Sequence, residues 1–251
     1  MKWIRGALVA LMLLAVAAGV AFWFYVQQAT PQVEGRIAVR GLKAAVTITR
    51  DEHGIPTIEG QSLADVMWGL GFVHAQDRLW QLEMHRRIGS GRLAEAFGES
   101  ALETDQFLRA LGVRRAAERQ WESVSGDART AVQAYADGVN AYVREHMRAR
   151  PPEFVLLGLE PGTWEPADSV AWTTMMAWDL GGNWSRELLR MSLARKLSVE
   201  RINELLPPYP GEQPLATIDY AALLRELRLD ASLGQPALAA APESGLDGIG
   251  S

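Results

Sequence analysis

The spacing of residues 69–92 predicts a long helix, and this block restricts the fold more than any other stretch of the chain. Leu79, Leu82 and Arg86 fall on one side at spacings of three and four. A second side combines aromatic and polar side chains, namely Gln76, Trp80, Glu83 and Arg87. The glycines Gly69 and Gly71 predict a break where the block begins.

The same block contains side chains that resemble an active site, namely His74, Asp77, Glu83, His85 and Ser90. His74 and Asp77 are one helical turn apart and could share a ligand. Glu83 and His85 are two residues apart, so on a helix they do not face each other. Ion-pair networks often imitate catalytic sites. The simpler interpretation is therefore a partly buried helix whose Asp77, Arg78, Glu83, Arg86 and Arg87 form ion pairs.

Composition excludes several classes of protein. The net charge of -5 provides no basic surface for nucleic acid, so no nucleic-acid partner is expected. The absence of cysteine excludes disulfides, thiolate zinc sites and a cysteine nucleophile. The four histidines include no pair at i, i+4, which argues against a transition-metal site. Gly69-x-Gly71 lacks the third glycine of a dinucleotide loop, and no organic cofactor is predicted.

The N-terminus predicts a membrane segment. Lys2 and Arg5 precede an uncharged run over residues 6–26, which ends in the aromatic cluster 22–25. Such a run can cross a bilayer at about 1.5 Å per residue, and its aromatic residues suit the interface. A small-residue motif at 15–17 also permits signal-peptide cleavage. The length favours an anchor over a cleaved signal, and either one predicts a periplasmic or extracellular location.

The remaining pattern is two short strands followed by helices. Strands are predicted at about 44–49 and 55–59, joined by the turn 51–54. Ser62, with Asp65 three residues later, predicts a helix start. Further helices are expected at about 104–121, from Ser125 to the prolines at 151–152, at 168–178, from 183 or 185 to before Pro207, and weakly at 217–229. Residues 151–167 read as a loop.

A lone hairpin is marginally stable, so its sheet is expected to gain strands from elsewhere. Another candidate site surrounds the predicted helix break near residue 180, with Met176, Trp178, Asp179, Leu180, Trp184 and Glu187. These residues either wall an apolar pocket or form a packed interhelix loop. Glu187 suits a helix dipole, and it could equally bind calcium, which needs six to eight oxygen ligands.

Four ordered motifs resemble the penicillin acylase (penicillin amidase) family of N-terminal-nucleophile hydrolases. They are Arg-Asp-Glu-His-Gly-Ile-Pro at 50–56, Gly-Phe-Val-His-Ala-Gln-Asp-Arg-Leu-Trp-Gln-Leu-Glu at 71–83, Tyr-Ala-Asp-Gly-Val-Asn-Ala-Tyr at 135–142, and Trp-Glu-Pro at 164–166. The resemblance extends from about Val46 to Pro210. It implies an α+β fold in which this chain is the helix-rich α part of an αββα sandwich.

The resemblance also implies a precursor that cleaves itself into an α and a larger β subunit. Residues 1–30 would be the signal peptide or anchor, 37–211 the α-subunit region, and 212–250 a spacer. Gly250-Ser251 resembles the processing junction, with Ser251 as the catalytic nucleophile at the start of the β subunit. The chain ending there would be a fragment that is inactive without its β subunit.

By the same resemblance, Glu187 corresponds to a calcium ligand, and Met176 and Leu180 to positions that line the acyl pocket. Asp179 stands where some members carry a basic residue, which argues against penicillin-type substrates. The expected substrate is a small linear amide, such as the acyl side chain of a β-lactam or of an acyl-homoserine lactone. The alternative is a membrane-anchored helical binding or assembly module without catalysis.

Overall fold

The computed structural model describes residues 2–182, 184–207 and the single positions 222 and 226. The chain divides into two compact units, Met1–Ala177 and Trp178–Ser251. The described elements are α1 (Lys2–Ala29), β1 (Thr47–Arg50), β2 (Pro56–Glu59), α2 (Leu63–Ser90), α3 (Ala94–Phe97), α4 (Leu102–Leu111), α5 (Val113–Ser123), α6 (Gly126–Ala141), α7 (Pro152–Leu156), α8 (Pro166–Leu180), α9 (Trp184–Leu193) and α10 (Val199–Leu205). The described part is therefore helix-rich with one small sheet, as the sequence predicts.

Helix α1 has the length and apolar composition needed to cross a membrane over Gly6–Ala29. Its apolar side chains are exposed along its length. Near its end, the hydroxyl of Tyr25 donates a hydrogen bond to the carbonyl oxygen of Arg150 at 2.8 Å. This contact connects the end of α1 to the body of the first unit.

Strands β1 and β2 form an antiparallel pair in which Ile48 lies opposite Ile58. Both strands are shorter than predicted, and they form the only sheet among the described residues. The predicted turn between them is confirmed. The Asp51 carboxylate accepts hydrogen bonds from the backbone N–H groups of His53 and Ile55 at 2.9 and 2.8 Å. A side-chain acceptor of this kind stabilises a tight turn.

Helix α2 begins where the sequence predicts, because the Ser62 hydroxyl accepts a hydrogen bond from the Asp65 N–H. The predicted break at Gly69 and Gly71 is wrong. The helix is continuous through both glycines, and its non-helical residue is Arg78, at φ -140° and ψ 30°. Glycine lowers helix propensity, but contacts with another helix can offset that cost.

The contact that holds Gly71 in a helix is the crossing of α2 and α6, whereas Gly69 lies against Ile58 of β2. A Cβ atom on Gly71 would lie 2.1 Å from the carbonyl oxygen of Tyr135. One on Gly138 would lie 2.0 Å from the carbonyl oxygen of Trp68. The two backbones therefore touch at a distance that only glycine permits on either side. Around the crossing lie the buried side chains of Trp68, Phe72, Ala75, Leu79, Leu82, Ala134, Val139, Tyr142, Phe154 and Trp164.

Other predicted helix boundaries need correction. The helix expected at 104–121 is two helices, α4 and α5, because Gly112 takes a left-handed conformation with φ 77°. Helix α6 does not continue to the prolines at 151–152 but ends in a π-helical turn, Tyr142–His146. The expected loop 151–167 contains α7, which has Pro152 in its first turn.

Near the end of the described region, α8 runs from Pro166 to Leu180, so the expected interruption at Asp179 lies inside the helix. The turn comes at Gly181 and Gly182. The single helix expected before Pro207 is two helices, α9 and α10, because Ser198 starts a new helix by accepting from the Arg201 N–H. The possible cap Asn183, the weak helix at 217–229 apart from residues 222 and 226, and the spacer 212–250 apart from the same two residues lie outside the described residues.

Candidate functional site

The second half of α2 carries a buried ion-pair cluster. Glu83 is 4% exposed, and its carboxylate accepts hydrogen bonds from Arg86 and Arg87, each at 2.7 Å. Arg87 also pairs with Glu95 at 2.9 Å. The predicted ion pairs are thus present for Asp77, Glu83, Arg86 and Arg87. Arg78, at the non-helical position of α2, is exposed and forms no ion pair with the described residues.

Removing the shared carboxylate is expected to destabilise the protein strongly. Glu83→Gln leaves the guanidinium of Arg87 buried without its nearest anion, and breaking a buried pair costs about 3 to 5 kcal/mol. The measurement is the free energy of unfolding in urea. Glu204→Gln is the matched control, because its pair with Arg201 is exposed on both sides and is expected to contribute less than about 1 kcal/mol. Equal losses in the two variants would contradict the structural role of Glu83.

The histidine and the aspartate one turn apart on α2 have different partners. His74 Nδ1 lies 3.0 Å from the hydroxyl of Tyr135 on α6. Asp77 instead accepts two hydrogen bonds from Arg50 of β1, at 2.8 and 2.9 Å. Burial lowers the pKa of His74, although the nearby Asp77 charge opposes this shift. The pKa of Tyr135 rises to about 12 through burial. The structure therefore does not bring His74 and Asp77 together on a common ligand.

His85 lies on the side of α2 that faces α8. Its ring stacks on Trp172 with the centroids 3.5 Å apart and the planes at 9°. Burial lowers the pKa of His85 to about 4. A neutral ring stacked on an indole explains this position without a catalytic role. Ser90 is the last residue of α2. The other four active-site candidates of this helix each contact a different partner, so the structure does not join them into one site.

The shifted pKa of His85 predicts acid sensitivity. The folded pKa of about 4 lies below the usual value of 6.5, so the unfolded chain binds a proton more readily. The free energy of unfolding should be highest above pH 6.5 and should decrease as the pH falls from 6.5 towards 4. Urea midpoints at pH 7 and pH 5 measure the effect. His85→Phe should reduce the difference, whereas His53→Gln, in an exposed turn, should not.

Three long-range contacts join the sequence motifs to one another. Arg50 of the first motif binds Asp77 of the second, and His74 of the second meets Tyr135 of the third. The side chain of Asn140, in the third motif, donates to the carbonyl oxygen of Trp164 and accepts from its N–H, both at 2.8 Å. These contacts hold the hairpin, α2, α6 and the loop before α8 together. Sequence reasoning assigned no role to Arg50 or Asn140, although both lie within the motifs.

A second charged cluster was not foreseen from the sequence. Arg114 of α5 pairs with Glu118 at 2.7 Å and also with Glu165 and Asp168. Asp168 is buried, and it accepts a hydrogen bond from the Glu165 N–H at the start of α8. Burial raises its pKa, while this hydrogen bond and the Arg114 charge oppose the rise. The cluster joins α5 to α8, and no local spacing indicates a pair 54 residues apart.

The site residues named from the resemblance fall in different places. Met176 is half-exposed on α8, and Leu180, the last residue of that helix, is 80% exposed. Glu187 lies in the first turn of α9, and its carboxylate accepts from Arg190 at 2.7 Å. Within the described residues no group of three or more His, Cys, Asp or Glu side chains could hold a metal ion. Gly250 and Ser251 lie outside the described residues.

The comparison with known families gives a match to the penicillin amidase family over residues 45–251. The chain belongs to this family. An acyl-homoserine lactone acylase QuiP of Pseudomonas aeruginosa is 36% identical over 200 residues, covering 80% of this chain and 23% of that protein. A penicillin acylase 2 proenzyme of Pseudomonas sp. (strain SE83) is 40% identical over 158 residues, covering 63% and 20%.

Among solved structures, a thermostable penicillin G acylase from Alcaligenes faecalis is similar with a TM-score of 0.55 and 28% identity. The match covers 67% of this chain and 95% of that one. This member of the penicillin amidase family spans only about a quarter of the length of the curated relatives it matches. The four motifs therefore identified the family correctly, and the non-catalytic module is not favoured.

Proposed function

We propose that this chain is the N-terminal part of an amide hydrolase that removes an acyl group from a small molecule. The observation that carries the proposal is the family match, which extends through Gly250-Ser251 to the last residue. The named relatives are an acyl-homoserine lactone acylase and a penicillin acylase proenzyme. Both names describe enzymes that cleave an amide bond between an acyl group and a ring-bearing amine.

The proposed nucleophile is the hydroxyl of Ser251 once cleavage after Gly250 has made it N-terminal. A free α-amine has a pKa near 8 and can accept the hydroxyl proton, directly or through a water molecule. The oxygen then attacks the substrate carbonyl, the C–N bond breaks, and the proton passes to the leaving amine. Water hydrolyses the acyl-serine and releases the acid. A serine inside a chain has no such amine, so cleavage must come before catalysis.

The lengths of the matches support a division into subunits. The curated relatives are matched over about a quarter of their length, whereas the solved penicillin G acylase chain is matched over 95%. This difference is expected if the solved chain is one subunit of a cleaved precursor and residues 37–211 here are its counterpart. We propose that the larger subunit supplies the strands that extend β1 and β2 into the αββα sandwich.

The proposed acyl pocket includes Met176 and Leu180. Both side chains are apolar and exposed on α8. Their exposure to water is unfavourable unless another surface or a ligand covers them. Asp179 is also exposed, and its negative charge disfavours a substrate with a carboxylate on the amine side, such as a penicillin. An acyl-homoserine lactone has a neutral ring. We therefore favour acyl-homoserine lactones over penicillins as the substrate class.

Calcium is proposed as a structural ion with Glu187 as one ligand. The carboxylate is the correct donor type, but Arg190 already binds it, and calcium needs six to eight oxygens. The described residues alone do not complete such a site, so the remaining oxygens would come from the larger subunit. If this is correct, chelation should lower the melting temperature of the processed wild-type enzyme. Glu187→Gln should already have that lower value and respond little to chelator, whereas the exposed-pair variant Glu204→Gln should respond as wild type.

The proposed location is the periplasm or the extracellular space, with α1 as an anchor in the membrane. Expression of the longer reading frame, followed by N-terminal sequencing, tests processing and the fate of α1 together. We expect one new N-terminus at Ser251 and amide hydrolysis of acyl-homoserine lactones in preference to penicillin G. A product that never begins at Ser251 would contradict the proposed mechanism. A further new N-terminus within residues 1–30 would indicate that the signal peptide is cleaved.

A further inference from the structure

A crevice of about 170 Å³ lies where the chain leaves α1 and crosses the body of the first unit. Its lining is mostly polar and comes from the end of α1 and the following tether, from α2, and from the π-helical turn and the segment after it. The polar side chains of this lining include Gln28, Gln32, Gln76, Glu145, His146 and Arg148. The volume is larger than a single bound water needs.

Three polar groups that line the crevice have no hydrogen-bonding partner among the described residues. Glu145 and Arg148 are exposed, and they form no ion pair with each other or with any other described side chain. The Nε2 atom of His146 is buried and forms no hydrogen bond. A buried polar atom without a partner costs about 1 to 3 kcal/mol, so the unpaired His146 nitrogen points to a ligand or water in the crevice.

Glu145 and Arg148 carry opposite charges, and His146 lies between them in the sequence. Arg148 and His146 can donate hydrogen bonds to an anion, and Glu145 can accept them from a cation. Glu145 and Arg148 both line the crevice without pairing to each other. A ligand with a negative and a positive group a few atoms apart would satisfy both, whereas a simple anion would meet the repulsion of Glu145.

The position of the crevice indicates which zwitterion would be present. The end of α1 is attached to the body through Tyr25 and Arg150, and the Gln76 amide donates to the carbonyl oxygen of Gln32 at 2.9 Å. Gln28 follows Tyr25 by three residues, about 4.5 Å along a helix. Tyr25 closes the aromatic cluster that suits the membrane interface. With α1 in a bilayer, the crevice therefore lies at the level of the lipid headgroups.

We propose that this crevice binds the phosphoethanolamine headgroup of a membrane phospholipid. The phosphate lies against Arg148 and His146, and the primary ammonium lies against Glu145. The proposal rests on the anchor role proposed for α1 and is independent of the hydrolase reaction. Bound lipid would fix the orientation of the enzyme on the membrane surface.

Titration of a short-chain phosphatidylethanolamine into the detergent-solubilised full chain tests the site, with bound lipid counted by native mass spectrometry. We expect one tightly bound molecule, with at least tenfold preference over the corresponding phosphatidylglycerol. Arg148→Ala should weaken binding at least tenfold. Arg119→Ala is the matched control, because that arginine is exposed on α5 and does not line the crevice. Glu145→Gln should reduce the preference over phosphatidylglycerol.

Equal binding of both lipids together with no effect of Arg148→Ala would overturn the proposal and leave a water-filled crevice. Free phosphoethanolamine that binds when the lipid does not would overturn the lipid as the source. The detergent titration does not require α1 to cross a bilayer, and hydrolysis by the processed Arg148→Ala enzyme should be unchanged. A failure of this site is therefore distinguishable from a failure of the anchor or of the proposed reaction.

Discussion

Replacing Ser251 by alanine is expected to abolish both precursor cleavage and amide hydrolysis. In the proposed mechanism this hydroxyl attacks the Gly250 carbonyl carbon during processing and the substrate carbonyl afterwards. Removal of a nucleophile that acts in this way lowers kcat by on the order of 10⁴-fold or more. Gel analysis of the longer precursor should show one uncleaved band, and hydrolysis of an acyl-homoserine lactone should fall to background.

Ser244→Ala is the matched control for this experiment. It removes the same hydroxyl seven residues upstream, within the predicted spacer, and should leave cleavage and hydrolysis unchanged. A Ser251→Ala protein that still cleaves at Gly250, or that retains amidase activity, would assign the chemistry to another group. Loss of activity in both variants would indicate misfolding of the spacer rather than loss of a nucleophile, which circular dichroism of the two precursors would reveal.

Replacing Gly138 by alanine is expected to disrupt the first unit. The new methyl group would lie 2.0 Å from the carbonyl oxygen of Trp68, a backbone atom that cannot move unless α2 and α6 separate. Overpacking a well-packed core usually costs about 1 to 3 kcal/mol. Because the new methyl group clashes with a backbone atom, the loss of stability should lie at or above the upper end of that range. A loss of that size is a large part of a typical total stability of about 5 to 15 kcal/mol. Urea unfolding followed by tryptophan fluorescence measures it.

Gly19→Ala controls for the gain in helix propensity that accompanies any glycine-to-alanine change. Gly19 also lies inside a helix, but a Cβ atom there meets nothing within 4 Å among the described atoms. Its urea midpoint should not fall below that of the wild type. Gly71→Ala should resemble Gly138→Ala, because its methyl group meets the Tyr135 carbonyl oxygen at 2.1 Å. The double variant should lose less than the sum, since one separation of the helices relieves both clashes.

Features that depend on neighbouring residues were predictable from the sequence. The apolar length of α1, the Ser62 cap and the Asp51 turn each need only residues within a few positions. The same holds for the pairing of Glu83 with Arg86 and Arg87, which follows from spacings of three and four on a helix. The family could also be predicted, because four motifs in order are specific even when the role of each residue is unknown.

Helix boundaries were predicted less well where glycine was involved. Gly69 and Gly71 suggested a break, yet they lie in a continuous helix. No helix end was predicted at Gly112, yet this residue lies between the end of one helix and the start of another. A glycine is equally suited to a left-handed turn and to a close contact between helices. The sequence does not distinguish these uses, because the difference lies in what packs against the residue.

The sequence by itself determined the family, the potential membrane span and the local starts of α2 and the hairpin turn. It also made Ser251 the proposed nucleophile, through its place after Gly250. Only the tertiary structure decided what the ionisable residues of α2 do. Their partners are Arg50, Tyr135 and Trp172, which lie tens of residues away in the chain. Burial and long-range contacts depend on how the helices pack. Because of that packing, residues that resemble an active site in the sequence instead form contacts that hold the first unit together.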